Sequence, residues 1–345
     1  MKSGRLFAVV LITVGLAGCS PGDTPSGPST STLTRGSSSP APSSASSSPT
    51  TTSSSSKTSS ASAALDGVYR LDFNLTKQFR NGAPDAGKPF ELWFAFRSSC
   101  DRDNKCIAIG RQLRDDDHEK PAEQPQTILD FVNGEWVGTT SGQSACGGGK
   151  SPVLQAWSLK PVDERTLSGT RSLAFFSPSS ECTAAYEQPM LATRTGDVDE
   201  DLTITDPAKE APLRRVPAEG FTGRYDKSLT ADNGQKGPVV SIDVSTTCIR
   251  NVPHCLTLTA YVPPGGGART VRAYEFQKGA WAGVVKSLAK CPSGAAVTET
   301  TRSEWGLPNP VSDPIQQLTG TQQEVYPDPC KATVQSTIVM VRTGD

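Results

Sequence analysis

From residue 66 onward the apolar positions fall in short runs rich in β-branched and aromatic residues, and clusters of Gly, Pro, Asn and Asp interrupt them about every 10 to 15 residues. The runs are too short for ordinary helices, so they predict strands. In the first half these lie near 67–76, 89–99, 106–113, 126–132, 135–140, 153–161, 166–176 and 186–195, and the second half supplies eight again. Asn133-Gly134 and Lys278-Gly279 sit between the fourth and fifth strand of each set, where a type I′ hairpin needs positive φ. Eight consecutive strands without a helix predict an all-β, antiparallel up-and-down meander. Its closure into an eight-stranded barrel removes the exposed edges, and two open β-sandwiches are the alternative.

The two halves match in order. "FVNGEWVG" at 131–138 aligns with "FQKGAWAG" at 276–283, "LSGT" at 167–170 with "LTGT" at 318–321, Trp157 with Trp305, and "TRTGD" at 193–197 with the C-terminal "VRTGD". Two tandem homologous barrels follow, at 66–197 and 220–345, with a Pro- and charge-rich interdomain linker at 198–219.

Upstream the pattern changes completely. Lys2 and Arg5 precede the apolar run "LFAVVLITVG", and "LAGC" closes it at Cys19. This has the layout of a secretory signal, at 1–18, and is too short to span a bilayer. Leu-Ala-Gly-Cys resembles the bacterial lipobox, which implies cleavage before Cys19 and diacylglycerol on its thiol. Residues 20–64 hold 27 Ser or Thr among 45, with three charged residues and one Leu. Such a composition cannot bury a core, so 19–65 is expected to be a disordered tether with a mean reach of about 35 to 40 Å.

Nine cysteines less the lipidated Cys19 leave eight, four per barrel: Cys100, Cys106, Cys146, Cys182, then Cys248, Cys255, Cys291, Cys330. In a meander alternate turns lie at opposite ends, so one connectivity avoids bridging the full height of the barrel. It pairs Cys100 with Cys106, Cys146 with Cys182, Cys248 with Cys255 and Cys291 with Cys330. The short bridges are worth about 2 kcal/mol and the long ones about 4. The Cys-x5-Cys and Cys-x6-Cys spacings are wide for zinc, Cys-x-x-Cys is absent, and export implies an oxidising compartment.

"DGVYRLDF", "WFAFRSSC", "LDFVNGEWV" and "ATRTGDV" resemble a domain of exported lipoproteins of mycobacteria and related actinobacteria, similar to the extracytoplasmic parts of some receptor-like Ser/Thr kinases. The resemblance covers most of residues 66–200 and implies a sensor or binding role outside the cytoplasm. A looser likeness links both halves to lipocalin-like barrels, which begin with Gly-x-Trp beneath an Arg of the last strand. Here Tyr69 would stack with Arg194, and Tyr225 with Arg342, at barrel closure.

Enzyme motifs fail on inspection. "GQSACG" at 142–147 lacks the last Gly of a nucleophile elbow, and "SLAK" at 287–290 lacks the companions of a penicillin-recognising site. "DDDHE" at 115–119 reads as a solvated acidic loop rather than a metal site, and no Gly-rich phosphate loop or cofactor fingerprint occurs. With 34 basic against 35 acidic residues there is no footprint for nucleic acid. The sequence therefore predicts a non-enzymatic lipoprotein on the outer side of the cell membrane. It would either sense or bind a small apolar ligand, or use filled barrels to contact another envelope protein.

Overall fold

Tyr69, Leu71 and Phe73 alternate with Arg70 and Asp72, and that period of two buries one face of the first strand completely. The computed structural model describes residues 64–146, 149–176 and 183–345. The first barrel begins with β1 Gly67–Phe73, followed by two short strands, β2 Phe79–Arg80 and β3 Ala83–Pro84. β4 Phe90–Cys100, β5 Cys106–Gln112, β6 Thr127–Val132 and β7 Glu135–Cys146 come next. β8 Gly149–Pro161, β9 Thr166–Phe175 and β10 Ala185–Gly196 complete it, and β10 pairs back onto β1 to close eight strands.

The second barrel is closed as well. It runs through β11 Gly223–Ala231, β12 Val240–Cys248, β13 Cys255–Tyr261, β14 Thr270–Gln277, β15 Ala280–Lys290, β16 Ala296–Gly306, β17 Gln317–Tyr326 and β18 Ala332–Gly344. Asn133 and Gly134 have φ of 53° and 85°, and Lys278 and Gly279 have 54° and 83°, so both act as the tight hairpin turns the sequence predicts.

Two features depart from the sequence expectations. β2 and β3 form a small hairpin that pairs with β10 outside the eight-strand meander. Its turn is Asn81-Gly82, at φ of 53° and 88°, the same dipeptide signal at a place where the flanking strands are only two residues long. The alignment of Trp157 with Trp305 is also corrected. Trp305 lies opposite Trp281, whereas Trp157 lies opposite Gly138, and the residue opposite Trp136 is Leu159. The two tryptophans thus sit one inward position apart, and the register counterpart of Trp157 is Ser303, opposite Gly283.

The stretch 198–219 packs closely against both barrels. Leu202 and Ile204 are buried against Ala95, Ile109 and Leu113 on the outside of the first barrel. Val216, Ala218 and Phe221 then enter the core of the second, where Phe221 meets the rings of Tyr225, Trp281 and Trp305 edge-on at 4.9, 5.3 and 6.2 Å. Phe221 plugs the end of the second barrel at which β11 begins.

Candidate functional site

The structure bonds Cys100 to Cys106, Cys248 to Cys255 and Cys291 to Cys330, with Cα separations of 4.0, 3.9 and 5.3 Å. Cys182, and with it the pairing to Cys146, lies outside the described residues, as does Cys19. Cys100–Cys106 and Cys248–Cys255 join strand neighbours across one turn, and Cys291–Cys330 ties the β15–β16 turn to the β17–β18 turn at the other end of its barrel.

At closure Tyr69 pairs with Arg194 and Tyr225 with Arg342, both beside a bulge. The guanidinium groups nevertheless do not stack on these rings. Arg194 Nε donates to the carbonyl of Asp66 at 2.9 Å and the group pairs with Asp197, while Arg342 pairs with Asp345. The ring of Tyr69 packs edge-on with Phe96 at 5.9 Å, and that of Tyr225 with Phe221, which directs each Arg away from the ring. Each Arg lies instead over the glycine two residues earlier. Gly67, at φ of 124°, has room for no Cβ because one would lie 2.5 Å from Arg194 Nε, and Gly223 at φ of 102° faces the Gly344 carbonyl and Arg342 similarly. The Gly of Gly-x-Tyr is thus the partner of the clasp. Burial raises the Tyr69 hydroxyl above its usual pKa and pushes Tyr225 up to about 12, with the nearby Arg opposing the shift in each case.

The two short disulfide loops do different work. In the first, Asp101 accepts the backbone N–H groups of Asp103 and Lys105 at 2.9 Å each and the loop stays exposed. In the second, Arg250 reaches across to Asp130 of β6 with Nε at 2.9 and 3.1 Å from the two carboxylate oxygens, and donates to the carbonyl of Ala211 at 2.6 Å. Asn251 bonds the backbone of Pro212 and Arg214. The Cys248–Cys255 bridge therefore holds a loop that joins the two barrels and the strap between them. Burial raises the Asp130 carboxyl, with Arg250 opposing.

Around this ion pair Leu154, Ala174 and Leu256 form a buried apolar seam between the barrels, and Arg269 of the second pairs with Glu187 of the first. A cavity of about 310 Å3 opens on the seam, lined by Ser141, Gln143, Val153 and Leu154 on one side and His254 and Glu275 on the other. His254 Nε2 lies 2.7 Å from Glu275 Oε1, which fixes the ring. Among the described residues His254 has this carboxylate as its hydrogen-bond partner, and no cluster of metal ligands occurs. The acidic stretch 115–119 is spent on local pairs, Arg114 with Asp116 at 2.7 Å and Lys120 with Asp117 at 2.5 Å, while His118 stacks on Trp93 at 3.9 Å.

A buried aromatic cluster occupies the lumen of the first barrel. Phe73, Phe94, Phe96 and Trp157 pack against one another, and Arg171 lies 4.2 Å above the ring of Phe73. Arg171 donates through Nε and Nη2 to Gln188 Oε1 at 2.9 and 2.6 Å, Gln188 donates to Gln78 at 2.6 Å, and Gln78 donates to the carbonyl of Asp85 at 3.0 Å. Gln78 belongs to the segment between β1 and β4, so this chain of hydrogen bonds fastens that segment over the open end of the barrel as a lid. Burial alone lowers the Arg171 pKa to about 10. Neither the lid nor this network was foreseen from sequence; Asn81-Gly82 marks the lid's hairpin, but nothing local marks Arg171 as inward-facing.

Residues 61–209 match the family described as the PknI serine/threonine-protein kinase sensor domain. The serine/threonine-protein kinases PknI of Mycobacterium tuberculosis and Mycobacterium bovis are 31% identical over 156 residues, which is 42% of this chain and 26% of each kinase. The chain thus spans about a quarter of the length of these curated relatives. The solved monomer form of the M. tuberculosis PknI sensor domain is 27% identical, with a TM-score of 0.36, and is covered over 97% of its length by 42% of this chain. The family match spans the first barrel and the first part of the strap, where the sequence motifs point. Among the described residues no helix is long and apolar enough to cross a membrane.

Proposed function

We propose that this protein is an extracytoplasmic sensor lipoprotein, held to the membrane by diacylglycerol on Cys19 and the 20–64 tether, which works by binding and not by catalysis. The match of residues 61–209 to a kinase sensor domain carries the reading. The signal layout before Cys19 and the three disulfides support an exported protein. The aromatic filling of the first lumen favours recognition on outer surfaces there over an apolar guest inside, and the cavity at the seam offers a concave face for it.

Two measurements test this. Labelling with an alkyne fatty acid should mark the wild type and not Cys19→Ala, and the variant should move to the aqueous phase on detergent partition; labelling that survives the substitution overturns the anchor. Native mass spectrometry of protein purified from its own envelope should show a retained partner or metabolite, and repeated absence overturns the binding role.

A further inference from the structure

The second barrel has a lumen of two unlike halves. At the plugged end Tyr225, Trp281, Trp305, Leu318 and Met340 are buried as an apolar base. Above them Thr259, Thr301, Ser303 and Gln322 form a buried polar floor. At the opposite end the inward positions include Lys227 on β11, Arg272 on β14, Glu299 on β16, and Glu324 and Tyr326 on β17, all only partly buried, beside the apolar Leu229, Val240 and Ile338. Strand alternation fixes their direction: Lys227 follows Tyr225, Arg272 precedes Tyr274, Glu299 precedes Thr301 and Glu324 follows Gln322.

These charges are spread around the mouth, on β11, β14, β16 and β17. Lys227 touches only the amide oxygen of Gln322, at 3.3 Å, and among the described residues neither it nor Arg272 forms an ion pair. The carboxylates are held by neutral donors: Glu324 accepts from Gln322 Nε2 at 2.8 Å and from the Tyr326 hydroxyl at 2.9 Å, and Glu299 accepts from Ser287 at 2.7 Å. Two cations and two carboxylates around one mouth, with none of them in an ion pair among the described residues, is a costly lining for a barrel mouth that only has to be solvated. It matches a guest that carries both charges. The rim is fixed by the Cys291–Cys330 bridge, which ties together the two hairpins that carry Glu299 and Glu324. The first barrel closes the same end with its lid, whereas the β11–β12 connection, 232–239, is about half as long as 74–89.

We propose that the mouth of the second barrel binds a small zwitterion, its carboxylate on Lys227 and Arg272 and its ammonium on Glu299 and Glu324. This extends the binding role above to a ligand class, yet it does not depend on lipidation. The test is calorimetry on the full chain in detergent micelles with glycine, β-alanine and γ-aminobutyrate, and with acetate and methylammonium as half-probes. One amino acid of the series should bind best and each half-probe should bind more weakly. Lys227→Met and Glu324→Gln, with unchanged disulfides and a cooperative melt, should each lose about tenfold or more in affinity. Absence of saturable binding by every probe, acetate binding as tightly as the best amino acid, or affinity unmoved by both substitutions would each overturn the proposal. None of these results bears on fatty-acid labelling or on a partner retained from the envelope, so the broader reading stands or falls separately.

Discussion

The two barrels share an eight-stranded meander, a Gly-x-Tyr start and an arginine clasp, yet they finish their open ends in opposite ways. In the first, Leu71, Phe73, Trp157 and Arg171 fill the lumen up to a lid fastened through Gln78. In the second, Lys227 stands where Leu71 stands, Ser303 where Trp157 stands and Gln322 where Arg171 stands, so these levels of the lumen are polar and the lid is not repeated. A duplicated fold has kept its frame and exchanged its filling. The frame rests on features that both copies need for closure, whereas the filling is free to diverge once each lumen is solvated or packed.

The largest effect should come from making the first barrel imitate the second at Trp157. Its ring, buried in the core, packs edge-on to Phe73 and Phe94 at centroid separations of 6.2 and 5.7 Å. Trp157→Ser should cost about 3 to 5 kcal/mol, read as a fall in the denaturation midpoint of the first barrel. If the barrel tolerates serine there with no loss, its lumen is not packed in the sense claimed and the contrast collapses.

Next comes the rim. Replacing Cys291 and Cys330 by Ser opens a loop with a sequence separation of 39 and should cost up to about 4 kcal/mol. The same change at Cys100 and Cys106, separated by 6, should cost about 2 kcal/mol. Equal costs would show that chain entropy is not what distinguishes the rim bridge from the turn bridge.

The barrels also compare through their joint. Arg250 and Asp130 have side chains 12% and 15% exposed, so removing one partner strands a shielded charge. Arg250→Met should cost about 2 to 3 kcal/mol, while the double variant with Asp130→Leu should recover much of it. A chain whose two barrels then melt at separate temperatures, where the wild type melts once, would locate the coupling in this pair.

How much of this was legible depends on the range of the interaction. Strand positions were readable because a turn such as Asn133-Gly134 and the flanking alternation are local. The three staples among the described residues were readable because meander topology limits which turns can meet. The Tyr69 and Arg194 pairing followed from closure, but the direction of the guanidinium did not, since it depends on Phe96 occupying the ring and on Gly67 leaving space. The Trp157 alignment failed because two residues of the same type one inward position apart look equivalent without the register. Arg171, Lys227 and the joint were invisible for the same reason: a charged residue inside a barrel differs from one outside by a single step along the strand.

The smallest effect concerns Lys227, and it separates the lumens by their response to pH. Burial, with Arg272 adding and Glu324 opposing, lowers the Lys227 pKa from 10.5 to about 7. Below pH 7 both folded and unfolded chains hold this proton, and the folded state bears the whole cost of keeping the charge inside the barrel. Between about pH 7 and pH 10 the folded chain has released the proton while the unfolded chain retains it, so stability rises with pH across that window. Above it the trend reverses, because Tyr225 and Tyr326 keep their protons in the folded state after unfolded tyrosine has lost them. Water at the mouth screens the ammonium, which limits the rise to about 1 kcal/mol. Denaturant midpoints of the second barrel measured from pH 6.5 to 9.5, values flanking about 7 in the folded chain, should climb for the wild type and stay level for Lys227→Met. Leu71→Lys in the first barrel should be far more destabilising than its mirror Lys227→Leu in the second, since only the second lumen offers an amide acceptor and solvent at that level. A flat wild-type profile, or equal penalties for the two exchanges, would mean that the lumens are alike where Leu71 and Lys227 stand.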